Sequence, residues 1–315
     1  MVSLSPTAGR AWLGERPHRL VMLRSPDLSR DMNLDLVAAT LDQRFGSDPY
    51  RTDGMRSGLD EVVTGVAGMS TVHSLTLLAD LVACLEEGEV YLEVGSYRGR
   101  SLVGALSGSA TAVGFGVENF GEFGGDTAAA REELVGNLSR FGVSDRASIV
   151  DGDAFRMLGE LRLPGPVGVY LYDGVHSAFG QYAGLGLAEH LLADRAVVVV
   201  DDATWPQVAR ATDRYVAAHS GYRLLAEFRA RTQDDELWCN GLRVYAWERP
   251  PGWSPRVGRD VTARAFLQSR VTGPARAWAW DALGSRPRAM QAVRRVVVRG
   301  GTTVPQSPPP PRPNA

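Results

Sequence analysis

The sequence predicts an α/β protein built on a doubly wound, seven-stranded, mostly parallel sheet. Three observations carry that expectation. Apolar, β-branched runs alternate with helix-period segments from Val90 to Trp247. The run Val90 to Val94 turns through Gly95 and Gly99 into a helix opened by Ser101, where Leu102, Val103, Ala105 and Leu106 recur at helical spacing. Acidic residues then follow successive strand ends, the place where open α/β sheets bind their ligands.

In chain order, residues 1–57 are rich in Arg, Asp, Ser and Pro, and Leu34, Val37, Leu41 and Phe45 mark one amphipathic helix from Asn33 to Phe45. Residues 1–69 are therefore expected to form an N-terminal helical arm or lid. A helix should begin at Ser70, carry Leu75, Leu78, Ala79, Val82 and Leu85, and stop at Glu87-Gly88. The expected strands are Val90–Val94, Thr111–Val117, Ala147–Val150, Val167–Tyr172, Ala196–Val200, Tyr222–Phe228 and Gly241–Trp247. The polar stretch 229–240 joins the last two, which predicts a hairpin and one antiparallel strand. Residues 70–249 thus form the main domain. Residues 250–303 read as a basic helical extension, with helical patterns at Ala263–Leu267 and Ala275–Leu283, and 304–315 as a Pro-rich tail unable to pack.

With 44% apolar and 22% charged residues, the 315-residue chain has the composition of an ordinary globular protein, neither fibrous nor disordered. No run is long enough to span a membrane and no secretory signal opens the chain, so a cytoplasmic protein is expected. Cys84 and Cys239 form neither a zinc motif nor a disulfide framework. Lysine is absent: all 34 basic residues are arginine, so no lysine can serve as a general base. The net charge of −2 hides an asymmetry, because residues 250–315 hold eleven Arg against Asp260 and Asp281 (net +9) and residues 1–249 hold 23 Arg against 34 acids (net −11). The basic tail could face the chain's own acidic body, a second subunit or an anionic partner. The acidic body and the lack of an aromatic-interleaved basic surface argue against nucleic acid.

The glycine spacing bears on the cofactor. A dinucleotide fingerprint is G-x-G-x-x-G, whereas here Glu93, Gly95, Gly99 and Ser101 follow the pattern E-x-G-x-x-x-G-x-S, with the acid on the strand. This resembles the first motif of class I S-adenosylmethionine (SAM) methyltransferases, and the seven-strand layout resembles their Rossmann-like fold. The resemblance implies a SAM site at Glu93, Gly95, Ser96, Tyr97, Gly99 and Ser101, with the strand acid placing the cofactor's ammonium group. Glu118 and Asn119 end the second strand, where an acid can accept both ribose hydroxyls; the other reading of Glu118 is a solvated strand-end carboxylate. Asp153, Ala154 and Phe155 follow the third strand, where the resemblance places adenine and where Asp153 also suits a helix N-cap.

Asp173 and His176 follow the fourth strand, and Asp201 and Asp202 the fifth. Three carboxylates at adjacent strand ends concentrate like charge, which a cation would relieve; oxygen donors favour a hard ion, Mg²⁺ first and then Mn²⁺ or Ca²⁺. The alternative is a pair of helix caps. The set Glu93-x-Gly95, Asp173-x-x-His176 and Asp201-Asp202 resembles metal-dependent O-methyltransferases, specifically the macrocin-type sugar enzymes. Catechol-type relatives carry lysine where His176 stands and Asp-Asn where Asp201 and Asp202 stand. The resemblance covers about residues 70–247. It implies metal ligation by Asp173, Asp201 and Asp202, contact of Asp173 with the cofactor, His176 as general base, and a hydroxyl of a sugar or glycosylated natural product as acceptor. A catechol or phenol acceptor, or a SAM-binding protein without catalysis, are the alternatives, and a homo-oligomer stays open. His18, His73, His190 and His219 fall away from strand ends. The acceptor pocket is expected from the arm, the loop 120–126, and the surroundings of Tyr182, Trp205 and Arg231.

Overall fold

In the computed structural model, which describes residues 31–46, 48–121, 127–232 and 234–254, strand alternation divides the core in two. Val90, Leu92 and Val94 share one hydrophobic cluster with Tyr170, Tyr172, Val198 and Val200, whereas Tyr91 shares the other with Val169, Leu171, Val197 and Val199. Successive strand residues point to opposite faces, so both faces of the sheet need cover. Leu34, Leu59, Leu75, Leu102 and Leu134 supply it on one side and Phe155, Leu185 and Val208 on the other.

Among the described residues the elements run α1 (Leu34–Phe45), α2 (Leu59–Gly65), α3 (Val72–Val82), β1 (Val90–Val94), α4 (Arg100–Leu106), β2 (Val113–Glu118), α5 (Thr127–Arg140), β3 (Ala147–Asp151), α6 (Ala154–Glu160), β4 (Val167–Tyr172), α7 (Ala178–Ala188), β5 (Leu192–Val200), α8 (Pro206–Ala218), β6 (Tyr222–Phe228) and β7 (Leu242–Glu248). The sheet order is β3-β2-β1-β4-β5-β7-β6. Only β7 runs against the rest, antiparallel to both β5 and β6. This is the expected doubly wound sheet with its terminal hairpin.

The departures from expectation are local and have identifiable causes. Strand β2 starts at Val113 rather than Thr111, because the Ser109 hydroxyl accepts the N–H groups of Thr111 and Ala112. Strand β5 starts at Leu192 rather than Ala196; a register shift in β4 pairs Val167 with Leu192, and the polar Asp194-Arg195 conceals the extension in sequence. Helix α3 begins after a Thr71 cap closed reciprocally with Ser74, and it ends at Val82, beyond which Cys84 and Leu85 donate to the carbonyls of Leu81 and Val82 in tighter turns.

The expected arm proves, over residues 31–69, to be a wall of the same core. Leu34, Val37, Leu41 and Phe45 are all buried, and Asn33 caps α1 by accepting from the N–H groups of Asp35 and Leu36. Arg44 and Arg56 converge on the buried Asp80 of α3 at 2.7 and 2.6 Å. The 250–303 extension is described only to residue 254, and the 304–315 tail, His18 and loop residues 122–126 lie outside the described residues. No helix among the described residues is long and apolar enough to cross a membrane.

Glu89 ties this wall to the sheet, its carboxylate accepting from the N–H groups of Met32 at 3.2 Å and Glu86 at 3.0 Å. Burial pushes its carboxyl up to about 7, above the usual carboxylate range. A raised carboxyl stabilises the fold while protonated, so its contribution is complete below the ordinary value and is lost as pH climbs through 7. Urea unfolding at pH 5 and pH 8 should show wild-type protein losing up to about 3 kcal/mol more than Glu89→Gln over that interval. Equal losses would mean that Glu89 is not the titrating group.

Candidate active site

The carboxyl ends of the parallel strands lie side by side, because the ladder continues one residue beyond each strand. Gly95 N–H donates to Val117, Gly152 to Glu118, Asp173 to Val94 and Asp201 to Tyr172. Five strand-end turns are thus locked edge to edge. At Gly95 φ is +93°, and a Cβ there would stand 1.9 Å from the carbonyl oxygen of Asp173. Glycine at this position is required by the neighbouring strand end, quite apart from any ligand. Gly99 also has positive φ, +86°, but an added Cβ would make only ordinary contact with Leu134, so its backbone conformation alone calls for glycine.

Glu93 is fully buried on β1. Tyr91, two residues earlier on the same strand face, donates its hydroxyl to Oε2 at 2.7 Å. Burial raises the Glu93 carboxyl to about 7. The hydroxyls of Ser96 and Ser101 lie close enough to the Glu93 carboxyl to hold it below where burial alone would push it, but Oε1 and Ser96 Oγ make no bond of good geometry.

Glu118 is neither solvated nor open. Its Oε2 accepts from Tyr97 N–H at 2.7 Å, and its Oε1 accepts from the N–H groups of Asn119 and Phe120 at 2.8 Å. Three of roughly four acceptor positions on a carboxylate are therefore filled by backbone, leaving about one open. Tyr97 sits at φ 47°, held there by that bond, and Asn119 Oδ1 accepts from Gly121 N–H at 2.9 Å. Asp153 is the N-cap of α6, accepting from Arg156 N–H at 3.1 Å, and burial raises its carboxyl. Ala154 opens that helix, and Phe155 is buried in the core.

Beyond β4 and β5 the side chains converge. His176 Nε2 lies 3.2 Å from Asp173 Oδ1 and 3.0 Å from Asp202 Oδ2. Ligand atoms of these three residues fall within 4.8 Å of one another, a spacing that could hold a metal ion. Asp201 turns differently. Its Oδ1 accepts from Asp202 N–H at 2.7 Å, and its carboxyl is raised well above the usual range by burial and by the charges of Asp173 and Asp202. The structure therefore groups His176 with the two outer aspartates and sets Asp201 beside them.

With this geometry in view, a family comparison covers the segment that builds it. Residues 92–203, from the glycine strand to the turn after Asp202, match a family model described as a methyltransferase domain. That segment, with its glycine turn and parallel strands, is thus similar to a methyltransferase domain. No curated protein matches significantly. Similar solved structures include cofactor-bound Rv0187 from MTB, with 20% identity, coverage of 71% of this chain and 100% of that one, and a TM-score of 0.47. The O-methyltransferase from Bacillus cereus in complex with SAH has 16% identity, coverage of 66% and 100%, and a TM-score of 0.47. TomG from Streptomyces achromogenes, an O-methyltransferase involved in tomaymycin synthesis and solved with SAM, has 18% identity, coverage of 67% and 96%, and a TM-score of 0.46.

Beside the strand-end acids, Trp205 meets the His176 ring edge-on at 5.2 Å. Tyr182 does not reach it and packs instead on Tyr215 and His219. Arg231 lies over the Tyr50 ring at 4.7 Å and pairs with Asp235 at 3.1 Å. His73, His190 and His219 are each bonded to backbone carbonyls. Two neighbours escaped the sequence reading. Tyr91 was legible through the two-residue period that puts it on the face of Glu93. Cys239 was not; its thiol is pushed up by burial and then by the charges of Asp201, Asp202 and Asp173, which places the turn before β7 beside the acids.

Glu118→Gln separates support of the turn from ligand contact. An amide would set an N–H₂ against a backbone donor and cost about 1–3 kcal/mol of stability. Thermal unfolding should fall together with SAH affinity by calorimetry. Weaker SAH binding at unchanged stability would instead assign Glu118 to the ribose alone.

Proposed function

We propose that this protein is a divalent-metal-dependent O-methyltransferase that modifies a hydroxyl of a sugar or glycosylated natural product. The observation that supports it best is the Asp173, His176, Asp202 group, standing at strand ends next to the glycine turn. The seat of SAM would comprise Glu93, Gly95, Ser96, Tyr97, Gly99 and Ser101, with Glu118, Asn119, Asp153, Ala154 and Asp173 around the rest of the molecule. The unsatisfied Glu93 Oε1 and Ser96 Oγ suit a ligand with cationic and polar groups. Mg²⁺ would be held by Asp173 and Asp202, with Asp201 as the adjoining third carboxylate; these oxygen donors fit a hard ion. When bound, SAM supplies an electrophilic methyl group and the ion supplies positive charge that acidifies a hydroxyl.

The chain's own residues do the rest. His176 Nε2 faces two carboxylates, Asp173 at 3.2 Å and Asp202 at 3.0 Å, so the imidazole stands where the metal and the acceptor hydroxyl would meet. With a cation held by Asp173 and Asp202 neutralising them, His176 as a neutral imidazole would take the acceptor's proton on its unprotonated ring nitrogen. Trp205 borders the same ring and limits the direction from which an acceptor can approach it. A weakly acidic sugar hydroxyl needs such a base more than a phenol does, and this favours the sugar over the catechol reading. Two carboxylates and an imidazole converging on one point are out of keeping with a non-catalytic SAM-binding protein.

A mass-spectrometric screen of sugars, glycosides and phenols for gain of one methyl group, with SAM and with or without Mg²⁺, tests the acceptor class. Turnover should stop in EDTA and return with Mg²⁺, and Asp202→Ala should abolish it; undiminished turnover in excess EDTA would exclude a catalytic metal. His176→Ala should lower kcat about a hundredfold, equivalent to roughly 2.7 kcal/mol, while SAM affinity stays within a factor of about two. A small loss on the true acceptor would exclude His176 as base and point to a phenol.

A further inference from the structure

The stretch 229–241, between β6 and β7, lies outside the family match. We infer that this insert is a clamp that holds Asp202 in its ligating position, with Gly241 and Asn240 as positioning residues; the inference rests on the metal reading above. Asp202 is a non-glycine residue at φ 52°, a left-handed conformation that its surroundings must support. The next two amides are captured by the insert, Ala203 N–H by the Gly241 carbonyl and Thr204 N–H by the Asn240 carbonyl, both at 2.9 Å. Trp205 N–H closes the turn on the Asp202 carbonyl at 2.9 Å, and Thr204 Oγ1 accepts from Ala230 N–H at 3.3 Å.

The clamp is itself anchored. Trp238 is fully buried, stacked on Phe228 at 4.2 Å, edge-on to Phe45 and His73, with its indole N–H donated to the Pro49 carbonyl at 2.8 Å. Asp235 accepts from the N–H groups of Leu237 and Trp238, and its backbone exchanges both bonds with Cys239. Gly241 N–H then donates to the Trp238 carbonyl at 2.7 Å. The insert is thus a plug in the core whose exit carbonyls grip the Asp202 turn. At Gly241 φ is +82°, and a Cβ would stand 2.3 Å from Thr204 Oγ1 and 2.8 Å from the Phe228 carbonyl, so any side chain there must displace the grip.

Mn²⁺ titration of the full-length protein, followed by electron paramagnetic resonance, tests the clamp without needing the acceptor. Gly241→Ala should weaken Mn²⁺ binding at least about tenfold, as loss of support around a metal ligand does, while SAH affinity by calorimetry changes less than about twofold. Trp238→Phe, which removes the bond to Pro49 and leaves a smaller ring in the aromatic stack, provides a second, milder variant with a several-fold loss expected, and it decides the matter if Gly241→Ala does not fold. Wild-type Mn²⁺ affinity in the folded variants would overturn the clamp and leave the metal reading intact. Wild-type protein that binds no Mn²⁺ would overturn both.

Discussion

A Cβ at position 95 would lie 1.9 Å from the Asp173 carbonyl, and that lack of room fixes the spacing between the glycine turn and the acidic group. β1 and β4 are neighbours in the middle of the sheet, and the turn leaving one rests on the backbone leaving the other. Glu118 extends the same constraint to β2 by binding Tyr97 N–H across the strand ends. A methyl donor in the turn and an acceptor at the acids would therefore be held at a distance set by backbone packing rather than by mobile side chains, which is the kind of preorganisation that group transfer exploits.

The arrangement has an electrostatic cost. Asp173, Asp201 and Asp202 emerge from adjacent buried strands, and the upward shift of Asp201 registers both its burial and the repulsion of its neighbours. His176 lies between Asp173 and Asp202, its Nε2 within hydrogen-bonding distance of both. Acids crowded this closely destabilise an empty fold, a conflict between stability and local chemistry typical of functional sites.

A chain without lysine builds its supports from arginine, and the guanidinium's fork suits the task. Arg100, at the start of α4, donates from all three of its nitrogens to the carbonyls of Val66, Ser70 and Val63, tying the segment between α2 and α3 to the helix that follows the glycine turn. Arg44 and Arg56 share Asp80 in the same manner. These contacts, with Phe45 packed on Trp238, bind residues 31–69 into the core.

The sequence by itself determined the strands, the glycine turn, the terminal hairpin and the presence of acids at strand ends, because these are written in periods of two and 3.6 residues and in turn chemistry confined to a few positions. Tertiary structure decided what each of those residues faces. Gly95 answers to Asp173 across 78 positions of chain, Glu118 answers to backbone amides, and His176 rather than Asp201 closes on the outer aspartates. The Asn33–Phe45 helix was legible as amphipathic, but its place as a core wall depended on Phe228 and Trp238, nearly two hundred residues away. A local pattern specifies which face of an element is apolar; the partner on that face is set by sheet order and packing, which no window of sequence contains.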